Sequence, residues 1–236
     1  MTMPQLSIVV PTYNERENVP VLIAKLEQAL QGLAWEVIFV DDDSKDGTAE
    51  AVRAIAAQNP RVRALQRIGR RGLSGACIEG MLASSAPFIA VMDADCQHDE
   101  TRLPVMLDLL TQDKAEIVVG SRFAEGAGTG DFGKLRLAGS RVSNAVAQRL
   151  LRVPLSDPMS GFFMLRRAAF MQLVHRLSSQ GFKILLDIMA TARGRLRVAE
   201  VPFTFGTRAH GESKMDTMVV MDFLGLLISK ATSDLL

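Results

Sequence analysis

The chain has 236 residues and a formal net charge of +1 at pH 7, and its length suits one large α/β domain. The near-neutral charge offers no general attraction for polyanions, which excludes nucleic acid as an expected partner. No apolar run reaches the roughly 18 residues of a membrane-spanning helix. The two cysteines, Cys77 and Cys96, are isolated and lack metal-binding spacing, which favours a reducing, cytoplasmic compartment.

Short apolar runs alternate with segments of helical period along the first half of the chain. The apolar runs predict strands at 6–10, 36–40, 61–65, 88–92 and 116–120. The segments between them predict helices at 16–31, 47–58, 73–84 and 101–113. This alternation predicts an α/β fold, a single domain with a mostly parallel central sheet flanked by helices on both faces.

The second half of the chain departs from this alternation. A glycine-rich loop at 124–133 precedes a helix-like stretch at 139–151. A turn and strand follow within 157–165, and a further strand is predicted at 198–205. The basic segment 206–216 is predicted to be a loop.

The last part of the chain is a separate segment. Residues 218–229 are apolar almost all round a helix, with only Asp222 interrupting them. We therefore divide the chain into a domain at 1–215 and a C-terminal apolar helix at 216–236. Such a helix either packs on the domain or lies at a membrane surface or subunit interface, and it would also suit a chain that continues into a membrane region.

Polar residues directly follow four of the predicted strands. These residues are PTYNE (11–15), DDDSKDGT (41–48), DADCQHD (93–99) and SRF (121–123). In open α/β sheets, ligands bind outside the carboxyl ends of the strands. The sequence therefore predicts one site where these four strand ends meet.

The acid cluster after the fourth strand suits a divalent cation. Asp93, Asp95 and Gln97 offer the oxygen ligands that Mg²⁺ or Mn²⁺ prefers. Because so few protein ligands leave coordination positions for substrate phosphates, the implied ligand is a diphosphate. His98 is read as a local hydrogen-bonding partner rather than a metal ligand.

The first two strand ends suit a nucleoside. Tyr13 offers a ring face for stacking and Glu15 an acceptor, while one acid of Asp41–Asp43 would accept bonds from ribose or base. The GxGxxG and GxxxxGK[ST] motifs of dinucleotide and P-loop enzymes are absent. The glycine-rich stretch RRGLSGA (70–76) is either a basic loop near phosphates or a helix start.

Six motifs occur together and in order: VVPTYNE, VDDDSKDGT, MDADCQH, GSRF, SGFFML and TRAHGESKM. In this combination the chain resembles family-2 glycosyltransferases of the GT-A (Rossmann-like) fold, and among them the dolichol-phosphate or polyprenol-phosphate mannosyltransferases. Two positions depart from that pattern. Asp43 stands where relatives often have a neutral residue, and Phe163 where many carry arginine, so contacts to the sugar are expected to differ.

The resemblance implies specific roles for residues at the matching positions. The nucleotide-sugar donor, with GDP-mannose favoured, would be bound by Pro11, Tyr13, Glu15, Val40, Asp42, Asp93, Ala94, Asp95, Arg208 and Lys214. The acceptor phosphate would be bound by Arg122, Arg136, Ser140 and Lys183. The metal, Mg²⁺ or Mn²⁺, would be held by Asp95 and Gln97, and catalysis would rest on Asp95, Arg122 and Arg208.

The expected reaction is an inverting, metal-dependent transfer of a sugar to polyprenyl or dolichyl phosphate at the cytoplasmic face of a membrane. Expected partners are therefore the donor, the lipid acceptor and the membrane surface, with a membrane subunit as an alternative to a missing membrane region. Two other functions stay open. The donor could be a UDP-sugar carrying glucose or N-acetylhexosamine, or the chain could be a non-catalytic nucleotide-sugar-binding subunit.

Overall fold

The computed structural model describes residues 3–128, 148, 155–179 and 181–207. Strands in these residues are β1 (Leu6–Thr12), β2 (Trp35–Asp41), β3 (Val62–Gln66), β4 (Phe88–Val91), β5 (Ile117–Ser121), β6 (Phe163–Arg166) and β7 (Val198–Pro202). Helices are α1 (Asn18–Ala29), α2 (Thr48–Ala56), α3 (Leu73–Ala83), α4 (Leu103–Thr111), α5 (Arg167–Leu173) and α6 (Ile184–Ala192). Short 3₁₀ turns occupy Glu100–Arg102 and Val174–Arg176.

The strands form one sheet in the order β3-β2-β1-β4-β6-β5-β7. Neighbouring strands are parallel except at β6, which runs antiparallel to both β4 and β5. The predicted single α/β domain with a mostly parallel sheet is confirmed. Because β6 enters the sheet at the edge where the parallel strands end, the turn before it also reaches that edge.

Both faces of the sheet are covered, which explains the continuous apolar runs in the sequence. Ile8 and Val10 of β1 belong to the packed layer that includes Leu22 of α1. Val9 faces the opposite layer, where it packs near α3. A Cβ at Gly80 of α3 would lie 2.4 Å from a methyl group of Val9, so glycine is required for this close packing.

The structure differs from the predictions mainly in the second half. The strand predicted at 198–205 ends at Pro202, and α5 and α6 had not been predicted. All nine residues of α6 are buried, so the helix lacks the amphipathic period that reveals a surface helix. Apart from Gln148, the stretch 139–151 lies outside the described residues, as does the segment 216–236.

No helix in the part of the chain that the structure describes is long and apolar enough to cross a membrane. Cys77 and Cys96 are both buried, and neither forms a disulfide.

Candidate active site

The carboxyl ends of β1, β2, β4 and β5 and the turn before β6 meet at one edge of the sheet. The predicted site residues at this edge are Pro11, Tyr13, Glu15, Val40, Asp42, Asp93, Ala94, Asp95, Gln97 and Arg122. Lys183 lies directly before α6. Four further predicted residues, Arg136, Ser140, Arg208 and Lys214, lie outside the described residues.

The residues predicted to bind the nucleoside lie at the ends of β1 and β2. Pro11 and Val40 are buried neighbours in the register of these two strands. Tyr13 follows β1, and the guanidinium of Arg71 lies over its ring, 4.4 Å from the centroid. Glu15 accepts a hydrogen bond from the Asn18 amide, at 2.6 Å. Tyr13 and Glu15 therefore lie just beyond the buried ends of β1 and β2.

Asp42 is held by an ion pair that the sequence did not reveal. Its Oδ1 accepts from the Arg67 guanidinium at 2.5 Å, and its Oδ2 accepts from the Gly72 amide at 2.7 Å. Burial raises the pKa of the Asp42 carboxyl, and the Gly72 and Arg67 hydrogen bonds oppose that rise. Arg67 also pairs with Glu79, at 3.1 Å. The side chains of Arg67 and Asp42 are both almost fully buried, so the Asp42 carboxylate depends on Arg67 for charge compensation.

Asp41, Asp42 and Asp43 are three consecutive like charges, which repel one another. Each of them has its own compensating partner. Asp41 accepts from the Ser44 amide and hydroxyl, and Asp43 pairs with Lys45 at 3.1 Å. Asp42 therefore differs from its neighbours in facing the loop that follows β3.

Replacing Arg67 tests this arrangement. We expect Arg67→Met to lower the free energy of unfolding by about 3 kcal/mol, because it leaves the Asp42 carboxylate buried and unpaired. The measurement is urea denaturation followed by circular dichroism. Arg70→Gln is the matched control, because Arg70 joins the same network through Glu79 but its side chain is 58% exposed. We expect that control to cost at most about 0.5 kcal/mol, and equal losses in the two variants would contradict this assignment.

Hydrogen bonds shape the loop of residues 93–99 after β4, hereafter the acid loop. Asp95 Oδ1 accepts from the Gln97 amide at 3.2 Å, which turns the loop at Cys96, where φ is +62°. The Gln97 side-chain amide donates to the Gly206 carbonyl at 2.9 Å, and the Gly206 amide donates to the Gln97 carbonyl at 2.9 Å. The segment after β7 is thereby fastened to the acid loop.

The side-chain oxygens of Asp95 and Gln97 fit the predicted divalent cation. Asp95 supplies a carboxylate and Gln97 an amide oxygen from one tight turn. Because the Gln97 nitrogen is directed at Gly206, its oxygen is directed away from that carbonyl. Among the described residues, no group of three or more His, Cys, Asp or Glu side chains could hold a metal. Two protein oxygens suit an ion that takes its other ligands from substrate phosphates.

His98 supports the acid loop from beneath. Its Nδ1 accepts from the Asp93 amide at 3.1 Å, as the expected local hydrogen-bonding role requires. The ring stacks on Phe162 at 5.2 Å between centroids and meets the edges of Phe203 and Phe205. Burial lowers the pKa of His98 to about 4, so the imidazole is neutral at physiological pH.

Arg122 is held by Asp157, which lies in the turn before β6. The Arg122 Nε and Nη2 donate to the two Asp157 oxygens at 2.7 and 2.9 Å, and the Arg122 backbone amide adds a bond of 3.3 Å. Asp157 is 0% exposed. The guanidinium also lies over the Phe205 ring, at 5.4 Å. Arg122 is therefore fixed in orientation, close to the aromatic rings that support the acid loop.

A small cavity of about 20 Å³ opens beside Asp93. Lys183, Gly161 and Met159 line it together with Asp93, so Lys183 shares a cavity with a residue predicted to bind the nucleotide-sugar. Phe163, the position that departs from the family pattern, is fully buried in β6 and does not line this cavity.

The sequence reasoning missed Arg67, Asp157, and the Phe205 and Gly206 contacts to the acid loop. Both salt bridges join residues at least 25 positions apart, and only the strand order brings their members together. The one usable indication was the Asp-Pro pair in the turn before β6.

Comparison with known proteins places this geometry in a family. The model of the family described as Glycosyl transferase family 2 matches residues 7–174. The dolichol-phosphate mannosyltransferase of Pyrococcus furiosus is 37% identical over 223 residues, which cover 93% of this chain and 62% of that protein. The corresponding protein of Saccharomyces cerevisiae is 38% identical over 232 residues, covering 93% and 84%. The chain thus spans less than two thirds of the Pyrococcus protein.

A solved structure gives the same fold. Glucosyl-3-phosphoglycerate synthase from Mycobacterium tuberculosis, in complex with Mn²⁺, UDP and glucosyl-3-phosphoglycerate, superposes with a TM-score of 0.72 at 20% sequence identity. The match covers 97% of this chain and 80% of that one. The expected GT-A fold is confirmed. Together with the family match and the curated relatives, this result leads to one conclusion: the chain belongs to glycosyl transferase family 2.

Proposed function

We propose that this protein transfers a hexose, with mannose from GDP-mannose favoured, to the phosphate of polyprenyl or dolichyl phosphate. The observation that carries the proposal is the order of groups along one sheet edge. Asp42 and Tyr13 lie at the nucleoside end, the acid loop follows β4, and Arg122 is fixed by Asp157 beyond it. Relatives named dolichol-phosphate mannosyltransferase, 35–38% identical to the chain, support the same reaction.

The proposed reaction requires little acid or base catalysis by the protein. A phosphate monoester with a second pKa of about 6 is mostly dianionic at neutral pH, so its oxygen can attack the anomeric carbon directly. The bond from that carbon to the donor diphosphate breaks, its electron pair stays on the diphosphate, and the configuration inverts. Neutral, buried His98 is not needed as a base.

The residues of the chain would then position two anions and compensate their charge. Arg122 would hold the acceptor phosphate through charge-assisted hydrogen bonds. Asp95 and Gln97 would hold Mg²⁺ or Mn²⁺, which when bound neutralises charge on the leaving diphosphate. Arg136, Ser140 and Lys183 at the acceptor phosphate, and Arg208 and Lys214 at the donor phosphates, remain predictions from the resemblance.

The proposal includes the organisation of the chain and its location. Residues 1–215 would form the catalytic domain, and 216–236 a helix at the membrane interface or leading into a membrane region. The enzyme would act at the cytoplasmic face of a membrane, where its lipid acceptor lies.

A substitution at Gly161 tests whether the Asp93 carboxylate binds the nucleotide-sugar donor. Its φ lies outside the left-handed region, so a substitution acts through space: a Cβ would lie 3.0 Å from an Asp93 carboxylate oxygen, which must then shift by a few tenths of an ångström. We expect Gly161→Ala to weaken nucleotide-sugar binding about tenfold by displacing the Asp93 carboxylate, as measured by calorimetry. In an Asp93→Ala background the same substitution should have no further effect. An undiminished affinity in the single variant would contradict the donor role of Asp93.

Donor and metal can be identified by a thermal-shift panel of GDP-mannose, UDP-glucose and UDP-N-acetylglucosamine, each with and without Mg²⁺ or Mn²⁺. Ligand binding to the native state raises the melting temperature. We expect the largest rise with GDP-mannose and metal together. A larger rise in melting temperature with either UDP-sugar would identify that UDP-sugar as the donor instead. Tight binding without any transfer would favour the non-catalytic subunit.

A further inference from the structure

The loop between β3 and α3, residues 67–72, exposes an apolar side chain to solvent. It lies at the edge of the sheet that carries the candidate active site, hereafter the site edge. Its sequence is RIGRRG, and Ile68 at its tip is 76% exposed. The sequence left open whether the basic residues here mark a loop near phosphates or only a helix start. The loop directly precedes α3, and its Ile68 and Arg70 side chains have no role in the proposed reaction.

Hydrogen bonds hold the loop on both sides of Ile68. Arg67 bonds to Asp42 and to the Gly72 carbonyl, the latter at 3.1 Å. Arg70 donates two hydrogen bonds to the Glu79 carboxylate, at 2.7 and 3.0 Å. These bonds fix both sides of the tip. A single exposed apolar side chain is ordinary on a protein surface, so Ile68 becomes significant only beside a second one.

A second segment, residues 178–179 and 181–183, adjoins this loop and also exposes an apolar side chain next to a basic one. The Gly181 carbonyl accepts from the Ser74 amide at 3.1 Å, immediately after the loop. Ser178 is fixed in turn by Asp187, which accepts from its amide at 2.6 Å. This second segment carries Phe182, which is 39% exposed, followed by Lys183.

We propose that these two adjoining segments form a membrane-contact surface whose partner is the headgroup region of an anionic phospholipid bilayer. Its members are Ile68, Arg70, Phe182 and Lys183, hereafter the two-loop surface. Apolar tips flanked by cations suit this partner, because the tips enter the interface while the cations face lipid phosphates. The inference rests on the proposed lipid acceptor, whose chain lies in the bilayer and whose phosphate must reach the site edge.

The position of the surface fits that task. The loop is bonded to Asp42 through Arg67 and Gly72, and Lys183 shares a cavity with Asp93. Contact of the two-loop surface with a bilayer would therefore bring the site edge to the lipid headgroups.

Vesicle flotation of the full chain tests the proposal. With vesicles of phosphatidylcholine and phosphatidylglycerol, we expect Ile68→Ser and Phe182→Ser each to lower partitioning about tenfold, the loss expected for one buried apolar side chain. Leu82→Ser is the matched control, because Leu82 is 45% exposed at the other end of α3, on the opposite edge of the sheet. Binding should also weaken at high salt and with pure phosphatidylcholine. Wild-type binding that neither loop variant changes, or no binding at all, would overturn the proposal.

Fluorescence supplies an independent readout. The single native tryptophan, Trp35, is buried, so its emission provides a constant background. We expect Ile68→Trp to show a blue shift when anionic vesicles are added, and Leu82→Trp to show none. No shift at position 68 would overturn the proposal and leave an acidic protein surface as the better partner.

Transfer assays separate this inference from the proposed function. With farnesyl phosphate in solution, Ile68→Ser should transfer as the wild type does. With long-chain polyprenyl phosphate in vesicles, its rate should fall about tenfold. Equal rates of the two proteins in vesicles would overturn the membrane surface alone. Failure of the wild type with both acceptors would overturn the proposed function, while the flotation result would still decide the surface.

Discussion

Asp95→Asn is expected to lower the rate of sugar transfer about a thousandfold, equivalent to about 4 kcal/mol of transition-state stabilisation. The variant removes the one negative charge that Asp95 offers to a divalent cation. It keeps the side-chain oxygen that accepts from the Gln97 amide at 3.2 Å, so the turn of the acid loop should persist. Initial rates over a range of Mg²⁺ and Mn²⁺ concentrations, together with the melting temperature, are the measurements.

Asp43→Asn is the matched control for that variant. Asp43 lies at the same sheet edge, pairs only with exposed Lys45 among its described ion pairs, and has a φ of +56° that asparagine tolerates. We expect its transfer rate to stay within about twofold of the wild type. Near-normal turnover of Asp95→Asn would refute the metal assignment. An unfolded variant would show instead that Asp95 is structural.

Arg122→Ala is expected to have two separate effects. It leaves Asp157 buried without its cation, which should lower the free energy of unfolding by about 3 kcal/mol. It also removes the proposed phosphate ligand, so transfer should fall at least about a hundredfold, with the KM for the lipid acceptor raised. Urea denaturation and steady-state kinetics measure the two effects independently.

A double variant separates stability from function. In Arg122→Met with Asp157→Asn, the buried charge is gone and the asparagine oxygen can still accept from the backbone amide of residue 122. We expect stability to recover by at least half while transfer stays low. Arg197→Ala, which removes an exposed pair with Asp113, should leave both properties unchanged. Recovery of transfer in the double variant would exclude a direct role for Arg122.

The parts of the fold that could be predicted are those in which burial leaves a regular trace in the sequence. Strands β1, β2, β4 and β5 are covered on both faces, so each appears as a continuous apolar run that stops where polar residues begin. The acid loop was recognisable because charged residues follow such a run directly. The site edge followed from the rule that ligands bind at the carboxyl ends of parallel strands.

The parts that could not be predicted depend on contacts between distant segments. Helix α6 is buried all round, so its apolar residues lack the period of a surface helix. The Arg122–Asp157 pair spans 35 positions and exists because β6 enters the sheet antiparallel between β4 and β5. Likewise Arg67 reaches Asp42 only because β3 lies beside β2. No local pattern shows which arginine each of these carboxylates pairs with.

Transfer of radiolabelled mannose from GDP-mannose to polyprenyl phosphate is the measurement that tests the central claim most directly. We expect label to appear in the organic phase with Mg²⁺ or Mn²⁺ present, to disappear when a chelator is added, and not to appear with polyprenol, which lacks the phosphate nucleophile. Absence of organic-phase label with GDP-mannose and with both UDP-sugars, from protein that binds a donor, would contradict the proposed transferase activity.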